Sequence, residues 1–164
     1  INHYGCTKAV AESVWMNANS YNKGGFPKFS AVRYGNVMGS RGSVIPLFLE
    51  QRKTGTITVT DVRMTRFMIT LEQAVDQVWQ AIKDPEPKIH VPRLPSMNIM
   101  QIVEAIAPDC KVKIIGIGKG EKIHEFLDHD YNSGDNDQWM TSIELQDWIS
   151  KEQTSQTQSF SFNS

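Results

Sequence analysis

The alternation of helical and strand-like patterns along the chain most constrains its fold. Residues 4–19, YGCTKAVAESVWMNAN, carry apolar side chains at helical spacing, whereas residues 29–37, FSAVRYGNV, form a β-rich run. Residues 70–83 begin with an N-cap Thr and continue as an amphipathic helix. Further helices are predicted at 44–52 and 96–107, and strands at 57–60, 88–93 and 111–117. This alternation predicts an α/β fold.

Composition excludes several classes of protein. The 164 residues are 40% hydrophobic and 21% charged, as in an ordinary soluble globular domain. A net charge of -1 gives no basic field for nucleic acid or an anionic membrane. No apolar run approaches the roughly 20 residues that span a bilayer. Cys6 and Cys110 lie far apart and outside any Cys-x-x-Cys pattern. We therefore expect a soluble, cytoplasmic protein with no metal site and no membrane or nucleic-acid partner.

Several other features favour structural roles. Residues 116–120, GIGKG, predict a strand-to-helix turn, because the spacing of a phosphate-binding P-loop is not met. His124 and His129 are five residues apart and so do not share the helix face that a zinc protease requires. The large apolar residues at helical spacing are predicted to lie in the core: Trp15, Trp79 and Met100.

Tyr4 and Lys8 form the first candidate for chemistry. Their spacing of four residues places a phenol and an ammonium on one face of a helix. The ammonium favours the phenolate, which can take a proton from an alcohol as its hydride leaves for a nicotinamide. Such a pair also arises by chance on solvated helices, so the surrounding sequence must decide.

Five motifs follow one another in a specific order. They are N-x-Y-G-x-T-K at 2–8, F-S-x-V-R-Y-G-N-V-x-G-S-R-G-S-V-I-P-x-F at 29–48, I-T-V-T-D-x-R-M-T-R-F at 57–67, V-P-R-L-P-S-M at 91–97 and I-G-I-x-x-G-E-K-I-H-E at 115–125. Residues 131–145 add a similar C-terminal end. Over nearly all of residues 1–150 the chain resembles the inverting UDP-N-acetylglucosamine 4,6-dehydratases, a family of extended short-chain dehydrogenases.

The resemblance implies the C-terminal part of a Rossmann-like fold. Residues 1–43 would end the Rossmann-like domain, 44–150 would form mainly the substrate-binding lobe, and 151–164, polar and without period, are predicted to be a disordered tail. No G-x-x-G-x-x-G follows a strand, and the family's Thr-Asp-Lys would precede Ile1. We therefore expect the N-terminal dinucleotide-binding half, which would bind most of NAD(P), to be absent.

The resemblance also implies a role for each site residue. Tyr4 and Lys8 would be the oxidoreductase pair and would contact the cofactor, with Lys8 reaching the nicotinamide ribose. Asn36 would contact the phosphate region, Arg66 the diphosphate and Glu121 the uridine ribose. Otherwise Asn36 would cap a turn, Arg66 would join a surface ion pair and Glu121 would lie in the first turn of a helix. The full substrate-binding set is Asn36, the backbone of Ser43, Val44 and Ile45 at the uracil, Arg66, Lys119 and Glu121.

The chain departs from the family where I-G-I-R-P-G-E-K is usual. Gly118 stands in place of Arg and Lys119 in place of Pro. Lys119 supplies charge one position along, but it lacks the planar fork that binds phosphate in a bidentate manner. We expect weaker or altered substrate binding.

The implied function is that of a nucleotide-sugar dehydratase fragment. The C4 hydroxyl would be oxidised, water would leave C6, and hydride would return to C6 with inversion at C5. The complete protein would make sugars for cell-surface glycans as a homo-oligomer, whereas the isolated chain would be inactive. Two alternatives stay open: a nucleotide-sugar epimerase of the same superfamily, and a non-catalytic UDP-sugar-binding module.

Overall fold

A computed structural model describes residues 3–22 and 25–161. The helices are α1 (His3–Tyr21), α2 (Val44–Arg52), α3 (Leu71–Lys83), α4 (Ile99–Ile106) and α5 (Ser142–Ser161). The strands are β1 (Ala31–Val32), β2 (Asn36–Val37), β3 (Thr56–Val59), β4 (Thr65–Ile69), β5 (Ile89–His90), β6 (Ser96–Asn98), β7 (Lys111–Ile114), β8 (Phe126–Asp128) and β9 (Tyr131–Asn132).

Short sheets, mostly parallel, organise the chain. β1 pairs with β5 and β3 with β7, both in parallel. β4 lies at the centre of a three-stranded sheet, parallel to β2 and antiparallel to β6. β8 and β9 form an antiparallel hairpin. The predicted α/β class is confirmed.

The main core lies among α2, α4, α5 and the strands beside them. α4 places apolar residues on its inner face, including the fully buried Ile102. Ile57 and Val59, which alternate along β3, point into the same core. Phe48 of α2 and Leu145 of α5 close it from the other sides. Most residues buried in this core therefore lie within 44–150, the range predicted to form mainly the substrate-binding lobe.

Local signals predicted the helices well where a cap and a periodic face coincide. α2 has the predicted bounds. α3 begins after Thr70, whose hydroxyl accepts a hydrogen bond from the backbone N–H of Gln73, while the Gln73 side chain accepts one from the N–H of Thr70. This reciprocal capping box satisfies two donors that the helix itself leaves unpaired.

The predicted helix at 96–107 starts later than expected. Ser96 to Asn98 form β6, and the Ser96 N–H donates to the carbonyl of Gln138. Asn98 is the true N-cap, because its side chain accepts from the N–H of Met100 at 2.8 Å. The sheet partner therefore overrides the helical pattern at the first three positions.

The predicted strand at 29–37 is divided in two. β1 pairs with β5, and after an interruption at 33–35 β2 pairs with β4. The chain changes sheets at Gly35, whose missing side chain leaves room for the backbone of Phe67. The strand predicted at 111–117 ends at Ile114, the one at 57–60 shifts to Thr56–Val59, and that at 88–93 contracts to Ile89–His90.

Two tryptophans predicted to lie in the core are exposed. Trp15 is 51% and Trp79 56% exposed, so that prediction is wrong for both. Trp15 and Trp79 lie on α1 and α3, both of which contact β1. α1 contains no buried residue. Met100 does pack against the main core, as predicted.

The segment predicted to be a disordered tail, 151–164, is described as far as Ser161, and its disorder stays a prediction. α5 continues to Ser161, and residues 162–164 lie outside the described part of the chain. Thr141 begins α5 with a cap, because its hydroxyl accepts from the N–H of Glu144 at 3.2 Å. A capped helix can propagate into a polar segment that contains no proline and no glycine. Among the described residues, no helix has the length and apolar character to cross a membrane.

Candidate functional site

An open cleft of about 1040 Å³ lies between α1 and the ends of β1 and β2. Tyr4 and Lys8 line it from α1, and Asn36 and Ser43 line it from the segment that follows β1. The opposite wall comes from 122–127. Four of the residues predicted from the sequence thus meet in one cleft, although the sequence separates them by up to 39 positions, from 4 to 43.

A second cavity of about 330 Å³ adjoins the first. Tyr4 lines both, while Arg66 and Glu121 line only the smaller one. Lys122 adds a second positive side chain to its wall. The structure therefore groups the predicted diphosphate and ribose ligands on one side of Tyr4, and Lys8 on the other.

Three predicted site residues line neither cavity. Ile45 is 2% exposed and belongs to the main core, and Val44 packs against that core. Their side chains stabilise the fold, so only their backbone could contact a uracil. Lys119 lies on an exposed turn. The binding roles of all three stay predictions.

Tyr4 and Lys8 have the mutual arrangement that their spacing predicts. The Lys8 Nζ lies 5.4 Å from the centre of the Tyr4 ring, within the range of a cation–π contact. Tyr4 is 72% exposed, so its hydroxyl is open to a ligand in the cleft. The geometry suits a phenol that exchanges a proton beside a positive charge, but the catalytic role itself stays a prediction.

Ser43 begins α2 at the edge of the large cleft. Its hydroxyl oxygen is buried and has no hydrogen-bond partner among the described residues, and it does not cap the helix. The first turn of α2 leaves backbone N–H groups without intrahelical partners. A polar ligand that reaches this corner of the cleft would find donors there.

Most hydrogen-bond donors of the Arg66 side chain are already paired with backbone carbonyls of this protein. Its Nη1 donates to the carbonyls of Thr65 at 2.7 Å and Ile123 at 3.0 Å, and its Nη2 donates to that of Lys122 at 3.0 Å. Arg66 therefore braces the loop that forms one wall of the smaller cavity. It forms no salt bridge with a described carboxylate, so the alternative interpretation as a surface ion pair is wrong.

Glu121 lies in a turn, not in the first turn of a helix. Its Oε2 accepts a hydrogen bond from the N–H of Gly118 at 2.6 Å. A Cβ at Gly118 would lie only 3.1 Å from that oxygen. The glycine that replaces the family's Arg thus allows the carboxylate to approach the backbone closely.

Glu125 lines both cavities and was not among the predicted site residues. Its Oε2 accepts a hydrogen bond from the Phe67 N–H at 3.3 Å. Burial raises the pKa of the Glu125 carboxyl, while the positive charge of Arg66 acts in the opposite direction. The sequence signal was present, since Glu125 ends the last of the five motifs, but only the fold brings it beside Tyr4.

A buried polar network fixes the position of Glu125. The Ser133 hydroxyl accepts a hydrogen bond from the Glu125 N–H at 2.8 Å and lies 2.7 Å from the Thr65 hydroxyl. The Nδ1 of His124 lies 2.8 Å from the same Thr65 oxygen. His124 thus has a structural hydrogen bond, and no group of three or more potential metal ligands occurs among the described residues.

Comparison with known proteins identifies the family. Residues 1–145 match a family described as "Polysaccharide biosynthesis protein". The chain belongs to this family. A UDP-N-acetylglucosamine 4,6-dehydratase (inverting) from Campylobacter jejuni subsp. jejuni serotype O:23/36 (strain 81-176) is 42% identical over 130 residues, which cover 77% of this chain. The resemblance drawn from the five motifs is confirmed.

One further relative and one solved structure are also similar to this chain. A UDP-glucose 4-epimerase from Rickettsia conorii (strain ATCC VR-613 / Malish 7) is 38% identical over 133 residues and 77% of this chain. The crystal structure of Pen from Bacillus thuringiensis has a TM-score of 0.79 at 33% identity, with 92% of this chain and 57% of that chain covered. The polysaccharide biosynthesis chain spans 39% of the length of both the dehydratase and the epimerase.

Proposed function

We propose that the protein to which this chain belongs is a nucleotide-sugar dehydratase of the 5-inverting UDP-N-acetylglucosamine 4,6-dehydratase type. It would supply sugars for cell-surface glycans. The observation that carries the proposal is the convergence of Tyr4 and Lys8 with Asn36, Arg66 and Glu121 on two adjoining cavities. The 42% identity with a dehydratase of that name supports the choice of reaction.

The smaller cavity suits the nucleotide part of a UDP-sugar. Arg66 and Lys122 supply positive charge for a diphosphate, and Glu121 supplies a carboxylate for ribose hydroxyls. The Glu121 oxygen bonded to Gly118 would have to share that contact or leave it, whereas the other carboxylate oxygen can accept freely. The uracil would approach the start of α2 at Ser43.

Tyr4 would exchange the proton of the sugar C4 hydroxyl, and Lys8 would hold positive charge beside the phenol. When bound, NAD(P) supplies the acceptance and return of a hydride. Tyr4 and Lys8 are the residues of this chain that fit its nicotinamide end, because they face an open cleft with no acidic partner bonded to Lys8 among the described residues. The Gly-rich turn that binds a pyrophosphate has no counterpart between residues 1 and 164.

We therefore expect the 164-residue chain alone to bind UDP but not to turn over substrate. The complete protein would be cytoplasmic and homo-oligomeric. Both cysteines are free in the structure, which agrees with a reducing compartment.

Substitution of Tyr4 tests the proposal in the full reading frame that contains residues 1–164. Tyr4→Phe removes the phenol oxygen but keeps the ring, so turnover of UDP-N-acetylglucosamine should fall by at least about a hundredfold, the range of one general acid–base group. Tyr21→Phe is the matched control, because Tyr21 ends the same helix, is 85% exposed and lines neither cavity. Equal turnover in both variants would rule out Tyr4 as the proton-exchanging group.

The second candidate is a nucleotide-sugar 4-epimerase. The Rickettsia conorii relative named UDP-glucose 4-epimerase favours it, at 38% identity over the same share of the chain. An epimerase needs the same phenol and ammonium, but its product is an isomer of its substrate. The mass of the product therefore separates the two reactions.

A further inference from the structure

Helix α1 carries Tyr4 and Lys8, yet it is attached to the rest of the molecule by very little buried surface. No residue of α1 is buried. At its C-terminal end, the Asn19 side chain exchanges two hydrogen bonds of 2.9 Å with the backbone of Phe29. Trp15 packs edge-on against the same Phe29 ring, with centroids 4.9 Å apart. These contacts fix the end of the helix that is distant from Tyr4.

Nearer to the cleft, Glu12 forms a two-pronged ion pair with Arg33. The Arg33 Nε donates to Glu12 Oε2 at 2.6 Å, and its Nη2 donates to Glu12 Oε1 at 2.6 Å. This fork geometry constrains both distance and orientation, unlike a single contact between flexible chains. The hydrogen bonds from Arg33 lower the pKa of the Glu12 carboxyl, against the opposing effect of burial.

Arg33 also reaches the opposite wall of the cleft. Its Nη1 donates to the backbone carbonyl of Leu127 at 2.9 Å and lies 3.6 Å from Asp128 Oδ1. One guanidinium, which directly follows β1, thus contacts both α1 and the β8 strand. Both Leu127 and Arg33 line the large cleft.

Spacing places Glu12 on the catalytic face of α1. Residues 4, 8 and 12 are four apart, so their side chains share one face, and each step advances about 6 Å along the axis. The ion pair therefore attaches α1 to the rest of the molecule one helical turn from Lys8. Any tilt of α1 about its anchored C-terminal end would displace Tyr4 most.

We propose that Glu12 and Arg33 are positioning residues, which hold the Tyr4 and Lys8 side chains at a fixed distance from the cleft wall formed by 122–127. The expected effect on turnover rests on the proposed function, whereas the expected effect on the position of α1 does not. The clamp joins α1, the end of β1 and β8, and it fixes the width of the cleft at the reacting groups.

An ordinary surface ion pair is the alternative, and the chain contains one for comparison. Lys53 and Glu50 lie three residues apart on and just after α2, and their side chains are 71% and 73% exposed. Glu12 and Arg33 are 21% and 35% exposed, come from different elements, and bond through both prongs. Exposed pairs of the first kind stabilise proteins little. Glu50→Gln is therefore a matched control, since it removes the same charge from a pair outside the cleft.

Hydrogen exchange on the full-length protein that contains residues 1–164 gives the first test. Glu12→Gln should speed exchange of the α1 amides between residues 7 and 12 by at least about threefold, because the neutral amide cannot accept two charge-assisted bonds. Arg33→Lys, which keeps the charge without the fork, should produce an intermediate increase. Unchanged exchange in Glu12→Gln, or an equal increase in Glu50→Gln, would overturn the clamp.

Kinetics in the full reading frame give the second test. Glu12→Gln should lower kcat for UDP-N-acetylglucosamine by at least about tenfold, since small misplacements of reacting groups have large effects. KM should stay within about threefold, because the groups that bind UDP lie elsewhere. A raised KM with unchanged kcat, or no kinetic change, would overturn the positioning role. No turnover in the unsubstituted protein would contradict the proposed function, while the exchange experiment would still decide on the clamp.

Discussion

Gly35 occupies a position where the structure leaves no space for a side chain. A Cβ there would lie 2.4 Å from the Phe67 Cβ and 2.5 Å from the Phe67 carbonyl oxygen. The Gly35 backbone does not have a positive φ, so the restriction is steric. Gly35 lines both cavities and precedes Asn36, so Gly35→Ala perturbs the fold and the site together.

The magnitude follows from the contact distances. Carbon atoms in packed interiors lie about 3.5 to 4.0 Å apart, so the new contact must open by more than about 1 Å. Phe67 is fully buried in β4, the central strand of its sheet, and the atoms that must move include its backbone. Overpacking typically costs about 1 to 3 kcal/mol, and a backbone neighbour places Gly35→Ala near about 3 kcal/mol. For a chain of this size that corresponds to a melting temperature lower by roughly 6 to 12 °C.

Thermal unfolding followed by circular dichroism measures this change, and calorimetry with UDP measures its effect on the site. Gly55→Ala is the control: Gly55 has a φ of 74° and no atom within 4 Å of the added Cβ, so only the backbone conformation is penalised. That penalty is about 1 to 2 kcal/mol, without loss of UDP affinity. If Gly35→Ala melts no lower than Gly55→Ala and binds UDP equally well, the close approach of Gly35 to Phe67 is contradicted.

Three further predictions concern charge and exposed apolar surface. Arg66→Ala should weaken UDP binding by at least about tenfold, because a charge-assisted hydrogen bond contributes about 1.5 to 3 kcal/mol; equal affinity by calorimetry would contradict its role. Burial raises the pKa of Glu125, so its stabilising contribution is complete at low pH and is lost as the pH rises through the raised pKa. Glu125→Gln stays neutral at every pH. At pH values above the ordinary glutamate pKa, its free energy of unfolding in urea should therefore exceed that of the unsubstituted chain. An equal or lower value would refute this. The 164-residue chain should self-associate through the exposed faces of α1 and α3, and Val14→Gln with Ile82→Gln, at positions 66% and 65% exposed, should reduce light scattering without lowering the melting temperature.

Elements defined by local chemistry were predictable from the sequence. α3 combines an N-cap, a partner at the third helical position and an amphipathic face, and each of these signals acts within a few residues. The strand at 29–37 could not be resolved in the same way, because its division depends on two different partners, β5 and β4. Ser96 was misassigned for the same reason, since its pairing with a distant segment outweighs the local helical pattern.

Burial was harder to predict than secondary structure. Trp15 and Trp79 have the spacing of core residues, but the helices that carry them flank a two-stranded sheet with little surface to cover them. Helical periodicity identifies an apolar face without identifying what packs against it. Whether the apolar faces of α1 and α3 are exposed therefore depends on the tertiary arrangement and not on the local sequence pattern.

The contacts in the site are also of two kinds: some follow from local helix geometry, and others form only through the tertiary fold. The proximity of Tyr4 and Lys8 follows from helix geometry alone, and the structure places them as expected. The Glu12–Arg33 clamp joins residues 21 positions apart, and Glu125 meets the Phe67 backbone across 58 positions. No local pattern encodes such contacts, so they became visible only when the fold placed α1, β4 and the 122–127 wall around two adjoining cavities.

The most direct test of the central claim is the identity of the product formed from UDP-N-acetylglucosamine by the full reading frame that contains this chain. Mass spectrometry and NMR of the reaction with NAD(P) should detect a 4-keto-6-deoxy sugar nucleotide that is lighter than the substrate by one water, and Tyr4→Phe should slow its formation by at least about a hundredfold. An epimer of unchanged mass, or the absence of any conversion, would contradict the assignment as a dehydratase.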